Sequence, residues 1–404
     1  MKSFHPLLLL LIFSFSCITK DTNNKLAIGS YKASLLIQDN EVIPFNFDVL
    51  NEQKLNIYNA DEVIKVHEIS YQNDSVKIQL PYFEGYITAK ISKDEIKGNF
   101  IKPSLNRTVP FVAKPNLPRF ENTSEATQNI TGNWETVFSP DSEEDKYIAK
   151  GIFKQNKNKV VGTFRTTTGD YRYLEGIMNG DSLQLSTFDG AHAFLFTAKA
   201  TDSTLNGFFY SGNHWKEPFT AKLNNAYELP GAESLTYLRE GYDKIEFSFP
   251  NEKGELISLE DNRFKDKVTV VQIMGTWCPN CLDESKYYAE YYNNHKSKDL
   301  EFVALAFEVA KTKEEGFQLI KRLKEQTGIN YPVLLAQYRS SSKIDAQKKL
   351  PMLNHVLSYP TSIFIDKKGK VRKIHTGFNG PATGVKYTEF KQNFESFITK
   401  LLEE

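Results

Sequence analysis

A β-branched, apolar run, Val268-Thr269-Val270-Val271-Gln272-Ile273-Met274, breaks at Gly275 and leads into Cys278-Pro279-Asn280-Cys281. Helix formers follow, from Leu282 to His295. The run reads as a buried strand, so the chain must pass through a turn into a helix whose first residues carry two thiols. Unpaired backbone N–H groups and the macrodipole favour an anion at a helix N-terminus. The thiolate is the reactive form of cysteine. The pattern therefore predicts Cys278 as attacking thiol and Cys281 as resolving thiol of a redox-active disulfide, and thiol–disulfide exchange as the chemistry.

Around this motif strands alternate with helices. Val268 to Met274 and Glu301 to Phe307 read as central strands, and Pro279 to Lys296 and Lys313 to Glu325 as helices. A short strand Tyr331 to Leu335 follows, then a hairpin of Thr361–Ile365 and Val371–His375 turning at Asp366-Lys367-Lys368-Gly369, then a closing helix from Thr388 to Leu402. A short hairpin over Ile245 to Leu259 leads in. Parallel β-α-β, then a hairpin and a terminal helix, predicts an α/β thioredoxin-like fold over residues 244–404.

Other uses of a Cys-x-x-Cys pair fit less well. A structural zinc site needs two more thiol or imidazole ligands, and no second Cys-x-x-Cys or His-x-x-x-His is present. A disulfide closing so short a loop gains little chain entropy. Peroxide chemistry would need a Pro-x-x-x-Thr-x-x-Cys loop, and Gly275-Thr276-Trp277-Cys278 lacks its proline and its spacing. No metal and no cofactor is expected.

The run Gly275 to Glu284, the Ser358-Tyr359-Pro360-Thr361 segment and His375-Thr376-Gly377-Phe378-Asn379-Gly380-Pro381 together resemble the TlpA/ResA-type exported thiol–disulfide oxidoreductases, thioredoxin-fold proteins of the redoxin class. The resemblance covers about residues 245 to 402. It implies a cis Pro360 facing the cysteines, with Trp277, Pro279, Tyr359 and Pro360 on the substrate side and Glu284 as catalytic carboxylate. It further implies protein disulfide or thiol substrates and a membrane thiol protein as electron donor. Thioredoxin itself carries a buried Asp six residues before its first cysteine, where this chain has Gln272, an amide that cannot act as a base. Glu284 is then the candidate proton acceptor for Cys281, and the alternative is a solvated helix charge. Reductase is the favoured direction, with oxidase or isomerase as same-chemistry alternatives.

The front of the chain is different. Residues 29–120 and 130–226 read as two copies of one all-β unit. Gly29-Ser30-Tyr31-Lys32 is echoed by Gly132-Asn133-Trp134-Glu135, Asp74-Ser75-Val76-Lys77-Ile78 by Asp181-Ser182-Leu183-Gln184-Leu185, and Pro110-Phe111-Val112-Ala113-Lys114 by Pro218-Phe219-Thr220-Ala221-Lys222. Val76 and Ile78, like Leu183 and Leu185, alternate with polar residues on the period of a half-buried strand. The expected architecture is multidomain: a duplicated all-β N-terminal module, as two packed sheets or one larger barrel or sandwich, followed by the thioredoxin-like domain. His67, His192 and His214 show no ligand spacing, so the module reads as a docking or spacer unit. The alternative function is that of an envelope binding protein in which the β units hold a ligand or partner and the redox domain is a scaffold.

At the start, one Lys, an apolar core and Ser16 before Cys17 describe an export signal over residues 1–17, and residues 18–28 suit a tether. Cys17 is placed as a lipid-bearing cysteine of the bacterial lipoprotein type, or alternatively near an ordinary cleavage site. Both place the protein beyond the cytosol, in the cell envelope or periplasm, and the first anchors it to the membrane. With 50 basic and 50 acidic residues the chain has no excess charge to hold nucleic acid.

Overall fold

The protein is described from a computed structural model that covers residues 24–295 and 297–404. The segment 1–17 with Cys17, and the first part of the 18–28 tether, lie outside the described residues. Among the described residues no helix is long and apolar enough to cross a membrane.

The front half forms two nine-stranded antiparallel sheets rather than a single larger one. In the first, the chain runs up and down from Gly29–Leu36 and returns so that Arg107–Pro115 pairs with the opening strand, Ala33 opposite Ala113. Its free edges are Glu62–Val66 and Glu68–Gln72, which are consecutive along the chain. In the second, Gly132–Phe138 pairs with Trp215–Leu223 on one side and Tyr147–Asn156 on the other. Tyr147–Asn156 also pairs with Lys159–Thr166, which closes the sheet into a barrel and removes its long edges. Only the two-residue strand Gly169–Asp170 hangs outside that ring. The alternation read from sequence sets the faces: Val76, Ile78, Leu183 and Leu185 all point into cores. The barrel is filled by aromatics, with Trp134, Phe138, Phe164, Phe196 and Phe219 buried together.

From Leu256–Ser258, which pairs with Ser248–Pro250, the chain enters a five-stranded sheet. Its order is Val333–Gln337, Leu300–Phe307, Val268–Met274, Thr361–Ile365, Val371–Thr376, all running one way except Thr361–Ile365, which is antiparallel to both of its neighbours. Val268–Met274 and Leu300–Phe307 are buried along their whole length, as a sheet covered on both faces requires. Among the described residues four helices accompany it: α1 (Pro279–Asn294), α2 (Lys313–Thr327), α3 (Lys343–Lys349) and α4 (Val385–Glu403). α2 starts at a Thr312–Glu315 capping box and stops at Gly328, whose φ of 74° suits glycine. The short α3 was not expected from the sequence pattern. This is the thioredoxin-like fold, and it carries Cys278 at the carboxyl end of its central strand.

The β half does not stand apart. Phe83, in the loop between the first-sheet strands Ser75–Gln79 and Tyr86–Ile91, is buried in the core of the redox domain, and Arg322 of α2 reaches back to Glu68 at 2.7 Å.

Candidate functional site

Cys278 is the N-cap of α1, with extended backbone, and its Sγ accepts the Cys281 N–H at 3.2 Å. Pro279 occupies the first helical position, where a missing N–H costs nothing and the fixed φ suits the helix. On its other side the Cys278 thiol donates to the Tyr359 carbonyl at 3.3 Å. The Tyr359–Pro360 peptide bond is cis, as the resemblance implied. Trp277 donates its indole N–H to the Phe307 carbonyl at 2.9 Å and meets the Tyr359 ring edge-on at 5.5 Å. Cys278, Cys281, Trp277, Pro279, Tyr359 and Pro360 are thus brought together around one sulfur. Both cysteines are free thiols.

Cys278 is 7% exposed and Cys281 is 0% exposed. Burial pushes the Cys281 thiol far up, and the adjacent Cys278 sulfur and the Glu284 carboxyl push the same way.

Glu284 is fully buried rather than a solvated helix charge. Its carboxyl accepts from Gln272 Nε2 at 2.8 Å, from Ser362 Oγ at 3.0 Å and from Tyr288 Oη at 3.3 Å. Burial pushes it up to about 7, against the downward pull of those three donors. Gln272 stands on the central strand and cannot ionise, so the buried carboxyl here comes from the helix, held in place by the strand amide. The Gln272 carbonyl is in turn occupied by Ser285 Oγ at 3.1 Å.

Sequence reasoning missed a second buried carboxyl. Glu308 follows the strand Leu300–Phe307 and accepts both the N–H (2.8 Å) and the hydroxyl (2.6 Å) of Thr276. Burial pushes it up to about 7 as well. It holds the turn that presents Trp277 and Cys278. The signal was present: an acid directly after the six apolar residues Phe302 to Phe307 had no other explanation. Also missed was Asp283 of α1, which lies 3.2 Å from Arg172 of the β half. Among the described residues no group of His, Cys, Asp and Glu is arranged to hold a metal ion.

The Redoxin family model matches residues 243–388. Thiol-disulfide oxidoreductase ResA of Bacillus subtilis (strain 168) is 32% identical over 147 residues, which are 36% of this chain and 71% of that protein. The chain belongs to the ResA family of thiol-disulfide oxidoreductases. ResA of Bacillus cereus is 28% identical over 184 residues, covering 43% of this chain and 90% of the relative. Among solved structures, a thiol:disulfide interchange protein from Chlorobium tepidum TLS is 20% identical, covering 41% of this chain and 98% of its own, with a TM-score of 0.30. Membership makes this chain an enzyme of thiol–disulfide exchange acting on protein thiols, and the matches lie in its C-terminal part.

Proposed function

We propose that the chain is a reductase of protein disulfides in the cell envelope, exported and held at a membrane by a lipid on Cys17, with Cys278 and Cys281 as its active pair. One observation carries the reading: Cys278 caps α1 beside the Tyr359 carbonyl, next to a buried Cys281 and a carboxyl pushed to about 7.

The burial of Cys281 supports an order of events. Cys281 keeps its proton while Cys278 attacks, as a thiolate, one sulfur of the client disulfide. The client S–S bond breaks, a Cys278–client mixed disulfide forms, and the other client sulfur leaves and takes up a proton. Glu284 then accepts the Cys281 proton, and the Cys281 thiolate attacks Cys278, releasing the second client sulfur as a thiol. Two electrons pass to the client and the pair ends as a disulfide, to be reduced again by a thiol protein of the membrane. Trp277, Pro279, Tyr359 and Pro360 flank the client chain, and Glu308 keeps their turn in place.

The same reading treats the two β sheets as copies of one module. Gly29 and Gly132 share φ values of 143° and 140°, and each opening strand pairs with the last strand of its own sheet.

The role given to Glu284 has a pH signature. Its carboxylate form, the proton acceptor, increases as pH rises through about 7. The decay of the mixed disulfide is therefore expected to speed up through that pH. In Glu284→Gln the inflection disappears and decay slows by roughly 10²-fold, the usual contribution of a placed general base. Stopped-flow decay between pH 5.5 and 8.5 reads both. An inflection retained in the variant would remove Glu284 from the mechanism.

A further inference from the structure

Strand Ile96–Lys102 of the first sheet pairs with Arg107–Pro115, and the register sets Lys102 directly opposite Arg107. Side chains two residues apart on a strand share a face. Lys102 and Arg107 therefore continue the face that buries Phe100 and Val109 in the core of the first sheet. Like charges directly opposite one another in a sheet destabilise it. The turn between the two cations does not need them, since Pro103 and the left-handed backbone of Asn106, at a φ of 49°, supply its shape.

The neighbouring acids do not neutralise the pair. Lys102 donates to the Ala191 carbonyl at 2.9 Å. Burial pushes its ammonium down to about 8 and Arg107 adds to that, against the pull of Asp189 and Glu84. Both acids have other partners. Asp189 lies 3.1 Å from Arg172 and accepts the N–H groups of Ala191 and His192 at 2.9 and 2.6 Å. Glu84 accepts the N–H of Ser104 at 3.1 Å and its hydroxyl. Arg107 has less still. Among the described residues its guanidinium meets no acceptor, and burial lowers its pKa with no carboxylate near enough to raise it.

The barrel brings a third group to the same place. Asn213 Nδ2 donates to the Thr108 carbonyl at 3.0 Å, which holds the turn between Ser211 and Trp215 against the strand of Arg107. His214 stands on that turn and, with Lys102 and Arg107, lines the cleft that also holds Cys278. Partial loss of water pushes its imidazole down to about 4, with Arg107 and Lys102 pushing the same way. At neutral pH the three groups thus offer two positive charges and a neutral imidazole N–H. A guanidinium fork beside an ammonium suits the oxygens of a carboxylate or a phosphate.

We propose that Lys102, Arg107 and His214 form a binding site for a small dianion, either a phosphate group or a pair of carboxylates. Arg107 grips the oxygens through its fork, Lys102 adds a point charge and His214 a hydrogen bond. The anion supplies the charge that the sheet leaves unmatched. The β half is then a binding unit in its own right, and the site stands whether or not Cys278 is the attacking thiol.

Calorimetric titration of the full chain at pH 7 and low salt, with inorganic phosphate and with succinate, tests the site. At least one of the two is expected to bind with a Kd below about 1 mM. Phosphate binding alone marks a phosphorylated ligand, and succinate binding alone a dicarboxylate. Arg107→Gln is expected to raise the Kd at least about tenfold, through loss of a charge-assisted pair. Lys146→Gln removes an exposed cation that lines the same cleft, and is expected to leave the Kd within about twofold. Arg107→Gln is also expected to leave the urea midpoint of the ligand-free chain unchanged or to raise it, because it relieves a repulsion. Binding of neither anion, equal losses in the two variants, or a lowered midpoint in Arg107→Gln would overturn the assignment.

Discussion

Cys278→Ser is expected to lower disulfide reduction by roughly 10⁴-fold or more, because the step lost is bond formation by the nucleophile itself. A serine hydroxyl at the same N-cap keeps the helix, since serine caps at least as well as any residue, so the loss separates chemistry from folding. Cys281→Ser is expected to behave differently. Its Cys278 still accepts the Cys281-position N–H and still faces the Tyr359 carbonyl, so attack proceeds. With no second thiol to resolve it, the mixed disulfide accumulates and turnover stops after one event. Mass spectrometry of the variant incubated with a disulfide client reads the adduct on Cys278. An adduct formed by Cys278→Ser instead, through Cys281, would reverse the assigned order. That outcome is opposed by burial, since Cys281 is fully enclosed and its thiol is pushed far from ionisation.

The largest expected effect on stability is at Arg172. Its guanidinium lies 2.5 Å from Glu62 of the first sheet, 3.1 Å from Asp189 of the barrel and 3.2 Å from Asp283 of α1. Burial alone would favour the neutral form, but the carboxylates of Asp283, Glu62 and Asp189 outweigh it and hold the group charged. Removing the cation leaves three acids facing one another with little water. Arg172→Met is therefore expected to destabilise the chain by about 3–5 kcal/mol, the usual result of breaking a buried ion pair from one side. Arg172→Lys keeps the charge but loses the fork that reaches three partners, and is expected to recover only part of that loss. Urea midpoints of the two variants measure this, and a cost for Arg172→Met below about 1 kcal/mol would mean the cluster is solvated.

How much of this was legible in the sequence follows from sequence separation. The redox domain was readable because its signals are local: a β-branched, mostly apolar strand, a turn at Gly275, thiols three apart, a proline before the next strand. The alternation in Ser75–Gln79 and Ser182–Phe188 likewise announced which side chains face the cores. Which strands close the second sheet was not legible, since pairing Gly132–Phe138 with Trp215–Leu223 spans most of the unit. The α3 helix, seven residues long, is too short to display a helical period. The cluster around Arg172 is the extreme case. It gathers residues 62, 172, 189 and 283, each of which reads alone as an ordinary surface charge. The same holds for Gly169, whose closeness to Asn280 depends on how two domains pack.

The most direct measurement is the reduction potential of the Cys278–Cys281 couple, by equilibrating the chain from Asp21 onward with dithiothreitol buffers. A value near or below roughly −230 mV, with thioredoxin at about −270 mV on the same scale, is predicted and marks a reductase. A value near roughly −120 mV would mark an oxidant and contradict the direction assigned here.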